Sequence, residues 1–511
     1  MAKRSSPPPI VRFGIVDRAV AAFSPEVALR RLYARSAIDR MRGYEAASKG
    51  RGTAGWRANG NSADQEIALA GPVLRDRMRD LVRNNPMAAQ AVQVLVNNIV
   101  GYGIRPRAAT GDRELNQRID ALWRRWERDC DEHGHTNFQG ILALAVRQMI
   151  EGGEVFAIAR PTTRRRGGLV PLRIELREAD HLDASRIDNG ATGNRIEQGI
   201  EFDRKGRRVA YWMFPDHPGG PSTVFARRFE SERIPAERVA HLFERQRVQS
   251  RGVPWGAPAM RHIRDLDDWQ NAELVRKKTE ACLVGIVFGA EDSEQGIAPA
   301  VEDADGNRIE QFEPGLIAYA RNGKDIKFNQ PSATSGIGEW LRAQQHLISS
   351  GFRVPYALMT GDMSQANFSS TRAGLNEFRR MIEQVQWQTV IPMFCERIWD
   401  WFVEYARIEG LLPIDGEFIA EWGTPRFESV NPLQDAQADL LEVRAGFSTI
   451  PQQIARRGYD PDEILEEAAE FNAKMDGHGL VFDADPRKVT KAGLVQTTDP
   501  NAAPAREAET E

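Results

Sequence analysis

The stretch RGVPWGAPAMRHIRDLDDWQNAELVRKKTEACLVG, residues 251–285, decides how this chain is organised. It begins with turn-forming residues and continues as a helical pattern whose apolar positions are Ile263, Leu266, Trp269 and Leu274. A compact insert with Gly and acidic residues follows at about 286–336, and IGEWLRAQQHLISSGF, residues 337–352, indicates a second helix. A helix, a small β-like insert and a returning helix predict a projection from a larger body.

The residues before this projection predict an α+β body that is mainly helical. Residues 75–104 indicate two helices divided at Asn85–Pro86, because the residue before a proline disfavours the helical conformation. Asn137 is placed to cap a later helix that ends at Gly152 and Gly153. The hydrophobic period then changes to that of strands, which we expect at EVFAIAR (154–160), PLRIELRE (171–178), IEQGIEF (196–202), RVAYWMF (208–214) and RVAHLFE (238–244).

The two ends of the chain and the segment after the projection differ in composition. Residues 1–70 mix Pro, Gly, Ser and charged residues, which is typical of a flexible arm, and we expect order from about Leu74. From Leu375 to Tyr405 apolar residues recur at helical spacing, and Pro392 predicts a kink or a division in that helix. Shorter helices follow, and the tail from about Arg487 has the composition of a disordered segment.

Length and composition favour a soluble protein. A chain of 511 residues has room for about two to four domains. No apolar run approaches the roughly 18 to 20 residues of a spanning helix, and the N-terminus lacks the apolar centre of a signal peptide. We therefore expect no membrane association and synthesis in the cytoplasm. The net charge of -4 argues against a protein that grips DNA over a broad basic surface.

Patterns that could indicate catalysis are few. The chain has no phosphate-binding loop, no G-x-S-x-G elbow and no H-E-x-x-H motif. Glu151 and Glu154 flank a glycine pair and could act as paired carboxylates, although a helix end is the simpler interpretation. A DNA-processing or metal-dependent hydrolytic enzyme that uses these two residues and the nearby histidines stays open as the alternative function.

Metal-binding and thiol chemistry have equally weak signals. His133 and His135 could ligate a metal together with Asp131 and Glu132, but adjacent polar residues more simply form a solvated turn. The three cysteines, Cys130, Cys282 and Cys395, are too scattered for a zinc site or a disulfide framework, and we expect buried free thiols. We predict no catalytic residue, no cofactor and no metal.

Two groups of residues invite a binding role. Arg276, Lys277 and Lys278 follow one another near the end of the first projecting helix and either face a polyanion or are simply solvated. The basic turn at Arg164–Arg166 either contacts phosphate or an acidic partner surface, or is a solvated hairpin tip. The segment Ser364–Thr371 is a cluster of small polar residues between an apolar segment and a long helical pattern. Its Asn and Ser residues are also suited to capping a helix that starts near Thr371.

Four blocks of the sequence, in order, resemble the lambda-type family of tailed-bacteriophage portal proteins. They are RDLVRNNPMAAQAVQVLVNNIVGYGI (79–104), WRRWERDCDEHGHTNFQGILALAVRQMIEGGEVF (123–156), RVAHLFERQRVQSRGVPWGAPAM (238–260) and VPYALMTGDMSQANFSSTRAGLNEFRR (354–380). The resemblance covers most of the chain, while the first seventy residues and the tail carry little of it. It implies a non-enzymatic protein with a portal-type fold, whose wing, stem, clip and crown regions form a dodecameric ring.

The resemblance divides the chain into regions. They are a flexible N-terminal arm (1–70), the wing (71–256), the first stem helix (257–285), the clip (286–336), the second stem helix (337–353), the channel loop (354–373), the long helix and crown (374–486) and a disordered tail (487–511).

The same resemblance implies a place, partners and a channel lining. The ring lies at the portal vertex of the capsid, after assembly in the host cytoplasm. It contacts the terminase large subunit, the major capsid protein, scaffold protein and head-tail connector proteins, and double-stranded DNA passes through it during packaging and ejection. The residues expected to line the channel are Ser364, Gln365, Asn367, Ser369 and Ser370, together with Arg276, Lys277 and Lys278. Short neutral groups suit a passage for DNA, because many strong phosphate contacts would hold the duplex in place.

Overall fold

The structure is a computed structural model that describes residues 26–27, 58, 60–162, 169–187, 193–220, 230–282, 336–364, 368–425, 427, 432–457, 459 and 461–481. The chain divides into two units, Met1–Ser62 and Ala63–Glu511. All the elements named below belong to the second unit. The predicted clip at 286–336 lies outside the described residues except for Gly336, as does the basic turn at Arg164–Arg166.

The described part of the second unit is mainly helical. Its helices are α1 (Ala63–Asn84), α2 (Pro86–Ile99), α3 (Arg113–Trp126), α4 (Phe138–Gly152), α5 (Met260–Cys282), α6 (Ile337–Phe352), α7 (Tyr356–Thr360), α8 (Phe368–Val385), α9 (Glu396–Ile408), α10 (Pro432–Arg444), α11 (Ile450–Arg456) and α12 (Pro461–His478). Its strands are β1 (Arg105–Ala108), β2 (Glu154–Pro161), β3 (Leu172–Glu178), β4 (Arg195–Glu197), β5 (Ile200–Phe202), β6 (Arg208–Met213), β7 (Glu232–Pro235), β8 (Val239–Phe243) and β9 (Ala420–Gly423). No helix in these ranges is long and apolar enough to cross a membrane.

Local capping signals determine the helix boundaries that the sequence predicted. Asn85 accepts hydrogen bonds from the backbone amides of Met87 and Ala88, and Pro86 takes the first position of α2, as expected. Asn137 caps α4 by accepting from the amide of Gly140. Helix α1, however, begins at Ala63, well before Leu74, so this body starts earlier than predicted.

The strands form three antiparallel sheets, with the orders β1-β9, β3-β2-β8 and β4-β5-β6-β7. The prediction of one strand at 196–202 was wrong, because this segment forms the hairpin β4–β5. Gln198 and Gly199 both have positive φ, 50° and 81°, and this left-handed pair makes a tight turn that reverses the chain. Strand propensity alone hid the turn, since glutamine rarely marks such a position.

Two apolar cores support these elements. The larger core lies among α2, α4 and the aromatic residues of α3 and α9; the rings of Trp123 and Trp399 are 5.3 Å apart, and those of Trp123 and Phe402 are 5.0 Å apart. The smaller core lies between the β2 and β4–β7 sheets and includes Phe156 and Tyr211. Cys130 and Cys395 are buried free thiols, as predicted, whereas the side chain of Cys282 lies outside the described residues.

The long helical run after the polar cluster is continuous. Pro392 was expected to kink or divide this run; the run is not divided, and around Pro392 the winding changes to a π-helix at Gln386–Cys395, between α8 and α9. The buried side chain of Gln386 donates to the carbonyl oxygen of Ile99 at 2.7 Å, which ties this segment to the end of α2. Proline has no amide hydrogen and cannot donate the backbone hydrogen bond of a regular α-helix. The π-helical winding occurs at this position.

The predicted projecting helices meet the body where α5 begins and α6 ends. A Cβ added to Gly351 of α6 would lie 2.8 Å from the Cβ of Ala259, directly before α5. A Cβ added to Gly256 would lie 2.6 Å from Cε1 of the buried Phe352. Gly351 therefore lets the two backbones approach closely, while Gly256 leaves room for the ring of Phe352. Ile263 and Leu266 of α5 are also buried near this end of the pair.

We predict that Gly351→Ala lowers the free energy of unfolding by about 1–3 kcal/mol, because the added methyl group overpacks the contact with Ala259. Gly338→Ala in the same helix is the matched control, since nothing lies within 4 Å of the added Cβ. That control should be neutral or stabilising by up to about 1 kcal/mol. Urea unfolding followed by circular dichroism measures both, and equal midpoints for the two variants would contradict the close approach.

Candidate functional site: the paired helices and their buried anchor

The helices α5 and α6 pack against each other beyond their contact with the body. The rings of Trp269 and Trp340 lie 4.5 Å apart. Trp269 is nine residues into α5, or about 14 Å, and Trp340 is twelve residues before the end of α6, or about 18 Å. Since Gly351 meets Ala259 at the other end of the pair, the two helices run in opposite directions, as a projection requires.

The end of α6 is fixed by Arg353. This residue caps the helix in the left-handed conformation, with φ of 60°, which is uncommon for a side chain other than glycine. Its guanidinium donates to both carboxylate oxygens of Glu244, at 2.6 and 3.1 Å, and lies 5.0 Å from the ring centre of the buried Trp255. The end of β8, the turn before α5 and the end of α6 therefore meet at one point.

A buried ion pair holds the start of α5 to the sheet of the body. Glu154, at the start of β2, accepts hydrogen bonds from Nε of Arg251 at 2.7 Å and from the backbone amide of Gly252 at 3.0 Å. His241 of β8 reaches the same carboxylate through Nε2 at 3.0 Å. We call these four residues, Glu154, Arg251, His241 and Gly252, the Glu154 anchor. The side chains of Glu154 and His241 are each only 1% exposed.

The charges in the Glu154 anchor are determined by its burial and by its partners. Burial alone would raise the pKa of Glu154, but Arg251 and His241 outweigh it and hold that pKa well below its usual range. Burial lowers the pKa of His241 to about 4, so the ring is neutral at neutral pH. The neutral ring donates from Nε2 to Glu154, while Nδ1 accepts from Arg208 at 3.2 Å.

Backbone contact completes the anchor. A Cβ added to Gly252 would lie 2.0 Å from the carbonyl oxygen of Gly153, and a Cβ added to Gly153 would lie 2.8 Å from the carbonyl carbon of Val253. Gly153 also has φ of 90°, which favours glycine on its own account. The chain that leads to α5 therefore passes directly against the end of α4.

Sequence reasoning missed Arg251 and His241, and it treated Glu154 only as a helix end or a catalytic acid. A signal was present, because Glu154 and His241 are the polar residues of the otherwise apolar strand segments EVFAIA and VAHLF. A charged residue at a strand position that should be buried requires a partner. The sequence does not reveal that partner, since Arg251 lies 97 residues from Glu154.

The polar cluster Ser364–Thr371, called the polar loop below, follows a turn that hydrogen bonds to Asp362 hold in place. Asp362 accepts from the hydroxyl of Tyr356 and from the backbone amide of Ser364, each at 2.9 Å, and the ring of Tyr356 stacks on His346 of α6 at 4.1 Å. Two hydrogen bonds from Ser364 and one from Tyr356 lower the pKa of Asp362 to about 2. The start of the loop is therefore held beside the second of the paired helices.

The structure places the predicted channel residues only in part. Ser364 is exposed after this turn, while Gln365 and Asn367 lie outside the described residues. The helix expected near Thr371 begins earlier, at Phe368, so Ser369 and Ser370 are in the first turn of α8. Arg276, Lys277 and Lys278 lie on α5 beyond Trp269, and Arg276 donates to Glu273 at 2.8 Å.

The residues of the alternative enzyme do not come together. His135 precedes α4 and Glu151 is near its end, so the 15-residue helix separates them by about 20 Å. The oxygens of Asp131 accept from the amides of His133 and His135, which fixes a turn rather than a metal site. The carboxylate of Glu154 is already occupied by the anchor.

One group of metal-ligating residues comes close together in the described part of the chain, namely Glu178, Asp180 and His217. Arg79 donates to Glu178 and to Asp180, at 2.6 Å each, and Arg75 donates to Asp180 at 3.1 Å. The two carboxylates therefore have cationic partners from α1, and the group is an ion-pair network between α1 and the end of β3.

We predict that Glu154→Gln lowers the free energy of unfolding by about 3–5 kcal/mol, because the change leaves the Arg251 guanidinium buried without a counter-charge. Glu178→Gln is the control, since its side chain is 41% exposed and should cost less than about 1 kcal/mol. Denaturant unfolding measures both. Equal, small effects would show that the anchor does not stabilise this part of the fold.

Comparison with known proteins identifies the family to which the sequence is similar. The family model described as "Phage portal protein, lambda family" matches residues 49–386, which include every element from α1 to α8. A probable portal protein of Halomonas phage phiHAP-1 is 26% identical over 438 residues, covering 81% of this chain and 82% of that protein. Portal protein B of Escherichia phage lambda is 23% identical over 492 residues, covering 84% of this chain and 89% of that protein.

Solved structures also resemble the chain, at a low level. A chain from the neck of an empty GTA particle matches with a TM-score of 0.41 and 15% identity, covering 80% of this chain and 96% of its own length. A TM-score in this range carries no argument about assembly. The family match is decisive because it spans more than half of the sequence. It confirms the resemblance of the four blocks, and this chain therefore belongs to the lambda family of phage portal proteins.

Proposed function

We propose that copies of this chain assemble into a ring, a dodecamer, at the portal vertex of a phage capsid, and that double-stranded DNA enters and leaves through its centre. In this proposal α5 and α6 form the stem, residues 71–256 the wing, residues 286–336 the clip and residues 374–486 the long helix and crown. Assembly takes place in the host cytoplasm, and the ring becomes part of the virion. Family membership supports the role, and the paired helices support the ring.

The observation that carries the ring is the uncovered outer half of the helix pair. Near the body Ile263, Ile348 and Phe352 are fully buried. Farther out, Leu274 is 53% exposed and Trp340 is 42% exposed, and Leu347, although it precedes the buried Ile348, is 46% exposed. Within one chain these apolar side chains face water, which is unfavourable over a continuous helix face. Neighbouring copies of the same helix pair would cover them.

The polar loop is proposed to line the channel. It follows the second stem helix after the short helix α7, and its first residue, Ser364, is held by Asp362, which also accepts from Tyr356. The proposed lining residues are Ser364, Gln365, Asn367, Ser369 and Ser370, with Arg276, Lys277 and Lys278 on the stem. Neutral groups at the loop leave moving DNA without strong fixed contacts, while the basic group on α5 attracts the phosphates.

The proposed partners follow the same division of the chain. The terminase large subunit docks at the clip and supplies the energy for DNA movement, since the sequence has no phosphate-binding loop of its own. The major capsid protein and scaffold protein contact the wing, and head-tail connector proteins join the ring after packaging. The chain itself performs no catalysis in this proposal.

Ring formation is the first test. We expect negative-stain electron microscopy to show rings with a central hole, and light scattering to give about twelve times 57.3 kDa, or about 690 kDa. The double variant Leu274→Asn, Leu347→Asn should stay near the mass of the monomer, because it removes the apolar surface that neighbouring copies cover.

Ile187→Asn is the control for the ring experiment, because Ile187 is 73% exposed and does not belong to either helix of the pair. It should form rings as the natural sequence does. Circular dichroism should give the same helix content for all three proteins. A chain that stays monomeric even with capsid and scaffold proteins present would overturn the proposal.

Channel lining is tested by adding charge to the loop. Gln365→Lys places one new cation on every copy, and we expect terminase-driven packaging to slow several-fold at low salt and to recover as salt is raised. Gln117→Lys, on the exposed face of α3, is the control and should package normally. Equal packaging rates for the two variants at low salt would place the loop away from the DNA.

A further inference from the structure

A groove lies between α9 and the segment that leads into β9, beyond the last residue of the family match. Its volume is about 740 Å³, and its apolar lining includes Trp399, Val403, Phe418 and Trp422. The apolar residues at its edge are well exposed: Ile408 by 69%, Ile414 by 82% and Ile419 by 53%. The groove is thus an apolar surface that the described part of the chain leaves open.

Carboxylates line both walls of this groove. Glu396, Asp400 and Glu404 follow one another at four-residue spacing on α9, which places them on one helix face, and Glu417 lies on the other wall. None of these four carboxylates forms an ion pair or accepts a hydrogen bond among the described residues. Burial raises the pKa of Asp400, so this carboxylate lacks sufficient compensating positive charge.

The one cation that lines the groove is already engaged. The guanidinium of Arg407 donates to the carbonyl oxygen of Gly416 and lies 4.4 Å from the ring centre of Phe418. It therefore braces the wall that carries Glu417 rather than neutralising the carboxylates of α9. The groove has an excess of negative charge next to an apolar floor.

A buried donor on the groove lining has no acceptor. The indole N–H of Trp399 donates to the carbonyl oxygen of Phe418 at 2.8 Å. Trp422, by contrast, is only 8% exposed, and its indole N–H has no hydrogen-bond partner in the described ranges. A buried donor without an acceptor is unfavourable, so a ligand that brings a carbonyl oxygen gains a hydrogen bond there.

Two classes of ligand fit this groove poorly. Glu396 and Glu404 are about 12 Å apart along α9, too far to share a single metal ion, and the described residues bring three metal-ligating groups together only at Glu178, Asp180 and His217. Nucleic acid carries phosphates that the four carboxylates repel. A polypeptide meets all the requirements, since it offers cationic side chains, apolar side chains and backbone carbonyl groups together.

We propose that the groove between α9 and β9 binds a segment of a partner protein that carries Lys or Arg residues together with apolar residues. Cationic side chains of that segment pair with Asp400 and Glu404, its apolar side chains cover Val403 and Phe418, and a carbonyl oxygen accepts from Trp422. This surface uses residues different from those of the stem and channel. The proposal therefore goes beyond the ring and does not depend on it.

The test is a fluorescence-anisotropy titration of the full chain with a fluorescein-labelled amphipathic helical peptide of Leu and Arg. The peptide of Leu and Glu serves as the ligand control and should not bind. Asp400→Asn with Glu404→Gln should weaken binding of the Arg peptide about five- to tenfold, since two partly exposed ion pairs are lost. Trp422→Phe keeps an aromatic side chain but removes the indole N–H donor, and should weaken binding of the Arg peptide about threefold or more.

A matched protein control separates the groove from net charge. Glu467→Gln with Glu470→Gln removes two carboxylates without ion pairs from the exposed helix α12, and should change binding less than twofold. Equal weakening by both double variants overturns the proposal, as does unchanged binding in the groove variants. Loss of self-association in the groove variants, measured by light scattering, would also overturn it, because the occupant would then be a second copy.

Discussion

The buried carboxylate of Glu154 has no access to water, so the protein itself must supply all of its hydrogen bonds and its counter-charge. Arg251, His241 and the amide of Gly252 meet this requirement: His241 lies in the neighbouring strand β8, and Arg251 and Gly252 lie in the segment that leads from β8 to α5. The same residues determine where the chain leaves the body to begin α5. The direction of the paired helices is therefore determined inside the body, before either helix is exposed.

A gradient of burial runs along the helix pair from this point. Close to the body, a methyl group added at Gly351 or Gly256 would overlap its neighbours, and Phe352 is fully buried. Toward the far end Leu274 and Trp340 are exposed, and Leu347 is exposed even beside the buried Ile348, so these apolar side chains depend on what lies next to the pair. One chain thus contains a rigid root and an outer half suited to self-association, which is the division of labour that a ring-forming protein needs.

Features carried by neighbouring residues could be predicted from the sequence, and features that join distant residues could not. Asn85–Pro86 and Asn137 gave correct helix starts because capping acts within three residues. The hairpin turn at Gln198–Gly199 was missed because the left-handed conformation of Gln198 depends on the surrounding sheet. Of the candidate site, the two helices were found from periodicity, while the Glu154 anchor required the folded chain. The four-residue spacing of the α9 carboxylates is visible in the sequence, but the sequence does not distinguish carboxylates that line a groove from those on a solvated helix face.

The contact of Gly153 with Gly252 limits how this protein can change over evolutionary time. Most packed positions can be exchanged for a slightly larger or smaller side chain, so they drift in small steps that neighbours absorb. Two backbones in direct contact offer no side chain to adjust, and any substitution at Gly252 meets the carbonyl oxygen of Gly153 at 2.0 Å. We therefore expect Gly153 and Gly252 to tolerate almost no substitution, and sequence change to be easier in the parts of the chain attached to this junction.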